Sequence, residues 1–296
     1  MTEVLEEKNT RAYYLKEKNK ISYTCKEIKK EMEPGDSRAY KELQAQLDQQ
    51  FKLEDALSNE FIPNHSKNQL ISPKTFFVSP LFRVSSKKSL RAKTIELDFL
   101  DKEGSRIFKY SGPELRQSDG LVFMALLNLV KDIKIGERVS FEVESFCKQI
   151  FGRYDGPARA QLKQHIQRLQ KGLIELDQFS VQLCLRFDFP SKGNWTVALD
   201  KDILVLFKKS SLIWLDFEKR KSLPEGLATW LYAFIESQVS LIPVPVCKLK
   251  ELCGSDATDD SFLKTLKISL KNLEDKNIID NKWFVKNGIL HWKAIK

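Results

Sequence analysis

Residues 248–277 read KLKELCGSDATDDSFLKTLKISLKNLEDKN, two helical patterns that meet at a very short corner. Leu249, Leu252 and Cys253 recur at i, i+3 and i+4, and Gly254 suits the left-handed position that ends a helix. Asp256 or Thr258 can cap the next helix, and Asp259 and Asp260 suit the positive end of its dipole. Its predicted inward face is Leu263, Leu266, Leu270 and Leu273, with Lys264, Lys267 and Lys271 on a flank turned away. A helical hairpin with a solvated lysine stripe would read this way, and so would the reading head of a DNA-binding protein.

The same order occurs earlier in the chain. PELRQSDGLVFMALLNLVKD has a thick apolar face, and FEVESFCKQIFG is a second helix that ends at Gly152. After a corner at RYDGP comes ARAQLKQHIQRLQKG. There Leu162, Ile166, Leu169 and Leu173 face inward, and Ala160, Gln164, Gln167 and Lys171 point out, flanked by Lys163 and Arg168. Two strand-like runs follow, LIELDQFSVQLCLRFDF and WTVALDKDILVLF, joined by PSKGN. In the later copy LATWLYAFIESQVSL supplies the first helix and 248–277 the second and third. IIDNKWFVKNGILHW then supplies a hairpin, with Asn287-Gly288 as a type I′ turn. A helix-turn-helix followed by a β-hairpin is a winged helix. The predicted fold class is α+β, with two tandem winged-helix domains and a charged helical N-terminal arm.

Residues 1–62 form that arm, with charged, helix-prone segments at 3–33 and 37–58 about a Pro34-Gly35-Asp36 turn. Neither segment is apolar enough for a core of its own, and the arm is expected to be mobile. Residues 63–80 read as a Ser-, Pro- and Asn-rich linker, 81–208 as the first winged-helix domain and 209–296 as the second. The basic run RVSSKKSLRAK leads into the strand-like TIELDFL and RIFKYSG.

Charge favours a polyanionic partner. Residues 1–60 carry 11 Lys and Arg against 13 Asp and Glu, which leaves 38 against 27 for the rest. No apolar run approaches the roughly 20 residues of a membrane span, and the N-terminus has no secretory pattern, so a cytoplasmic protein is expected. The five cysteines are then reduced and mostly buried. No C-x-x-C occurs, and His65, His165 and His291 lie far apart, so no metal or cofactor is expected. A nickase would need a histidine pair beside a nucleophilic Tyr, a tyrosine recombinase a late Tyr, and an ATPase a G-x-x-x-x-G-K-[ST] loop. None of these is present, and binding rather than catalysis is expected.

For duplex DNA the outward residues have assignable roles. Arg159, Lys163, Gln164 and Gln167 in the first copy, and Ser261, Lys264, Thr265 and Ile268 in the second, are candidates for base edges. Lys87, Lys88, Arg91, Lys93, Arg153, Arg168, Lys171, Ser255, Thr258, Lys267 and Lys271 are candidates for the adjoining contacts, chiefly to phosphates. In the hairpins Lys192, Asn194, Lys286 and Asn287 are candidates for the backbone. A transcriptional repressor of the same fold would use the same surface.

Several stretches, in this order, resemble the TrfA family of plasmid replication initiators over roughly residues 79–293. They are SPLF before the basic run, YSGPELR, FGRY at the first corner, LDKDILVLF, IWLDFEKRKSLP, and ELCGSDAT at the second corner. The resemblance implies a bacterial protein that binds direct repeats (iterons) in a plasmid origin and opens the adjacent AT-rich duplex. It implies single-stranded origin DNA as a further ligand, and host initiator, helicase and sliding clamp as protein partners. It also implies a monomer–dimer equilibrium. The nearest counterparts of a clamp-docking segment are QLDQQF (46–51) and ALSNEF (56–61). After GSDAT the chain is acidic, DDSF, where the family pattern is basic, so the repeat read here is expected to differ.

Overall fold

The computed structural model describes residues 10–31, 37–86, 89–100, 104, 106–176, 178–209 and 212–295. Helices α1 (Arg11–Glu31) and α2 (Ser37–Asn59) pair as a hairpin. Ile21, Cys25 and Leu43 form a small buried seam between them, and Lys18 bridges to Glu54 at 3.0 Å. The hairpin is not a loose arm, because its base is tied into the body. The Arg11 amide donates to Asp132 O at 2.8 Å, its guanidinium donates to the carbonyls of Lys131 and Ile62, and it lies over the Phe61 ring. Sequence reading missed this because Arg11 works alone, one buried cation serving several carbonyls.

Residues 63–80, expected as a linker, also belong to the core. They hold strand β1 (Gln69–Pro73) and the short helix α3 (Lys74–Phe77), with Leu70, Ile71, Phe76 and Phe77 buried. The Ser and Pro content hid two apolar pairs that pack against the helix at 117–130. Strand β2 (Phe82–Arg83) follows, then β3 (Ile95–Leu100), β4 (Arg106–Gly112) and β5 (Leu115–Arg116), the last parallel to β2.

The first repeated unit comprises α4 (Gln117–Val130), β6 (Val139–Phe141), α5 (Val143–Phe151) and α6 (Gly156–Lys171). A hairpin of β7 (Leu173–Glu175) and β8 (Ser180–Gln182) comes next, then a second of β9 (Arg186–Asp188) and β10 (Trp195–Ala198). The single run expected over 173–189 is therefore three strands, β7 and β8 of one sheet and β9 of another. Ile174 and Val181 are buried opposite each other, and β7–β8 extends the β3–β4 pair into a four-stranded sheet. Strands β6, β10 and β9 form a separate three-stranded sheet in that order. DILVLF is not a strand either. Asp200 caps a 3-10 turn, accepting from the Asp202 amide, and helix α7 (Leu204–Lys209) follows.

Strand β11 (Leu212–Asp216) pairs antiparallel with β1 and leads through α8 (Phe217–Ser222) into the second unit. That unit comprises α9 (Leu227–Glu236), β12 (Val244–Pro245), α10 (Val246–Leu252), α11 (Asp259–Asp275), β13 (Phe284–Lys286) and β14 (Ile289–His291). Its sheet order is β12-β14-β13, the same sequence of roles as β6-β10-β9. Asn287 and Gly288, both at positive φ, close the final hairpin between Lys286 and Ile289. Of the five free cysteines only Cys247 is exposed.

One continuous buried cluster runs through both units, from Ile62 to Trp292. The contacts that join them are specific. Val84 N donates to Cys253 O at 2.9 Å, while Arg83 donates to Gly254 O at 3.0 Å and to Asp256 at 2.6 Å. Gln117 at the start of α4 meets Thr229 near the start of α9, and Arg220 donates to the Gln117 carbonyl. The corner glycines of the two units are accordingly unequal. Gly152 (φ +72) has open space around it, whereas a Cβ on Gly254 (φ +65) would lie 2.7 Å from Pro80 Cβ. Gly152→Ala should cost about 1–2 kcal/mol through φ alone. Gly254→Ala should cost clearly more in denaturant unfolding, and equal costs would contradict the close packing of this corner.

Candidate nucleic-acid interface

Helix α6 begins at Asp155, whose carboxylate accepts from the Ala158 amide at 2.6 Å, with Pro157 in its first turn. It buries Leu162, His165, Ile166 and Leu169. His165 was not expected on this face, and its partner, Asp119, is fully buried at the third position of α4. Asp119 Oδ1 accepts from His165 Nδ1 at 2.7 Å and Arg168 Nε at 2.8 Å. Oδ2 accepts from Arg91 Nη1 at 2.6 Å and the Arg116 amide at 2.8 Å. The carboxylate thus meets four donors, about its full capacity. Burial alone would push its pKa up. The hydrogen bond from His165 and the attraction of His165, Arg168 and Arg91 outweigh that and hold it far below the usual carboxylate range.

Two expected phosphate contacts are therefore turned inward. Arg168 and Arg91 serve Asp119, and Arg91 also donates to Glu114 O at 3.0 Å. Arg159 and Lys163 brace the adjoining hairpin loop. Arg159 donates to the carbonyls of Pro190 and Ser191, both at 2.9 Å, and Lys163 Nζ sits 3.7 Å from the centre of the Phe189 ring. Gln164 and Lys171 are exposed, Gln167 is half-buried, and Lys192 and Asn194 are exposed at the loop tip beside Gly193. Arg153 pairs with Asp155 at 3.4 Å. Lys93 is exposed, while Lys87 and Lys88 lie outside the described residues.

In the second unit Thr258 caps α11, accepting from the Ser261 amide at 3.4 Å, and the Ser255 hydroxyl accepts from Ala257 at 3.4 Å. Both act first as corner-formers. Phe262, Leu266, Leu270 and Leu273 are the buried face, and Leu263, expected inside, is only partly covered. Lys264 and Lys267 are exposed, as are Ser261 and Thr265, whose hydroxyl donates to Ser261 O. Ile268 is 65% exposed. Lys271 is held by Glu274 at 2.6 Å and Asp275 at 3.3 Å. Asp259 pairs with Lys250 at 2.6 Å, which offsets one of the two acids at the helix start. Lys286 and Asn287 are exposed at the tip of the last hairpin. Sequence did offer one cue to the buried ionic group: an Asp inside the apolar pattern RQSDGLVFM, and a His in register with Leu162 and Leu169.

Each unit thus presents a long helix with a polar and basic outer side, next to a hairpin. The model of the TrfA protein family matches residues 11–294, and the chain belongs to that family. It is 24% identical over 196 residues to the plasmid replication initiator protein TrfA of Escherichia coli. That match covers 62% of this chain and 51% of the relative, so it spans about half of that protein's length. Among solved structures the fold resembles domains 2 and 3 of RctB, with a TM-score of 0.55, 12% identity, and coverage of 75% of this chain and 99% of the other. A second structure of RctB domains 2–3 aligns with a TM-score of 0.47, 11% identity, and coverage of 72% and 95%. Among the described residues no helix is long and apolar enough to cross a membrane.

Asp119 carries a pH prediction. A folded-state pKa below the unfolded value of about 4 gives stability that is complete above that pH and lost as pH falls below it. Asp119→Asn should cost about 3–5 kcal/mol near neutral pH. The gap to the parent should narrow by about 1.4 kcal/mol per pH unit below about pH 4. Denaturant titrations at pH 7 and pH 3 would check this, and a constant gap would remove Asp119 as the ionic hub.

Proposed function

We propose that this chain initiates plasmid replication by binding direct repeats in the origin through two winged helices. On this reading 81–208 and 209–296 are the two domains, α6 and α11 enter successive major grooves, and the β9–β10 and β13–β14 hairpins lie along the backbone. The observation that carries it is the repeated sheet order beside an exposed polar-basic third helix, in a member of this initiator family. Base-edge contacts fall to Gln164 and Gln167 in the first unit and to Ser261, Lys264 and Thr265 in the second. Gln suits adenine and Lys suits guanine, while the exposed Ile268 suits a thymine methyl. Lys93, Lys171, Lys192, Lys267 and Lys286 supply phosphate contacts, which make affinity salt-dependent.

The proposed work is binding, not catalysis. Binding energy and DNA distortion promote opening of the AT-rich duplex, and the exposed strand is a second ligand. Host initiator, helicase and sliding clamp are the proposed protein partners, in the bacterial cytoplasm, with a monomer–dimer equilibrium limiting the binding form. For the clamp, QLDQQF is the better placed segment, since Leu47 and Phe51 are exposed on α2 while Phe61 of ALSNEF is buried.

Lys264→Ala with Lys267→Ala, and separately Gln164→Ala with Lys171→Ala, should each lower affinity for repeat DNA by about tenfold or more. The salt slope should fall by about one for each phosphate contact removed. Titrations at several salt concentrations would measure both. Loss of one pair with no change in affinity or slope would refute two-headed binding, and a protein that prefers a lone inverted repeat would be a repressor.

A further inference from the structure

Between the two units, beside α6, lies a cleft of about 390 Å³. Arg83, Arg91, Arg116 and Arg168 line it, against a single lining carboxylate, Glu225. The acids that serve Arg91, Arg168 and Arg116 are Asp119 and Glu114, both buried behind the wall. Asp119 is shared by two guanidinium groups, Glu114 serves the third and Asp256 the fourth, Arg83. None of these three acids lines the cleft, so the guanidinium groups and not their carboxylates face the opening.

The rest of the lining is suited to an anion. Ser118, in the first turn of α4, and Gly226, which precedes α9, bring two helix starts to the cleft. Gln161 and Gln164 close the side formed by α6, and Gln164 is also on the exposed face of that helix. The cleft therefore opens where a DNA strand would pass.

We propose that this cleft seats a backbone phosphate of the bound DNA beside the bases that α6 reads. The ligand class is a phosphodiester, and the site anchors the duplex at the joint between the two heads. It rests on the DNA-binding reading above and adds a phosphate contact to the base-edge contacts of that reading. Guanidinium groups pre-aligned by buried carboxylates can bond a phosphate in the bidentate manner without first losing side-chain freedom.

Ser118→Asp tests it: the change gives up only the long 3.5 Å bond that the Ser118 hydroxyl accepts from Arg91 and keeps every charged group of the ionic cluster. An acid in the first helical turn favours the helix, so the melting midpoint should not fall, but the carboxylate occupies and repels the phosphate position. Affinity for repeat duplex should drop by about tenfold, with the salt slope reduced by about one. Ser118→Asn should stay within about twofold of the parent. Gln161→Glu, on the opposite wall, repeats the test should Ser118→Asp fold poorly. Folded acidic variants that bind duplex with unchanged affinity and slope would overturn the proposal. So would a nucleoside triphosphate that raises the melting midpoint of the parent but not of Ser118→Asp while duplex binding is equal in both, because the site would then serve a free phosphate compound. A parent protein that binds no repeat duplex would defeat the DNA-binding reading itself and this proposal with it, a result distinct from a loss confined to the variants.

Discussion

A carboxylate with no exposed surface must be fully bonded or it destabilises the fold, and Asp119 satisfies that demand with donors from three parts of the chain. One is the backbone at the start of α4, one is Arg91 from the segment before β3, and the others are His165 and Arg168 on α6. Helix α6 is thereby fixed in rotation as well as position, since His165 and Arg168 are one turn apart and bond the same oxygen. Apolar packing by Leu162, Ile166 and Leu169 would hold α6 against the core with less control over its rotation. Directed bonds to a buried charge supply that control.

Helix α11 depends on the first unit through its corner. Arg83 and Val84 bond the backbone and side chain of residues 253–256, and Gly254 passes too close to Pro80 for any larger residue. Gln117 ties the starts of α4 and α9 together. These contacts join the two units into one body, not two units on a tether. Two rigidly spaced surfaces lose less freedom on binding than two independent ones, which would suit the direct repeats proposed as the target.

Much of this architecture was legible from residue pattern. Both corner glycines, both third helices and the Asn287-Gly288 turn follow from local chemistry, which sequence carries directly. The failures are non-local. Residues 63–80 looked like a linker because Leu70, Ile71, Phe76 and Phe77 find their core only after distant strands arrive. LIELDQFSVQ looked continuous with LCLRFD because both runs alternate, and only the β3–β4 pair decides which sheet each joins. At the candidate interface the ambiguity is chemical. An arginine suited to a phosphate is equally suited to a buried aspartate, so Arg91 and Arg168 could be recognised as anion binders but not assigned their anion. The exposed Lys264, Lys267 and Gln164 have no competing partner of that kind among the described residues.

The central claim is that α6 and α11 engage one repeat together as a rigid pair. Methylation interference at guanine N7, with permanganate interference at thymine, across a single repeat tests it most directly. The account predicts two zones of interference on one face of the duplex, about one helical turn apart. A single zone, or two zones whose spacing varies freely among repeats, would contradict it.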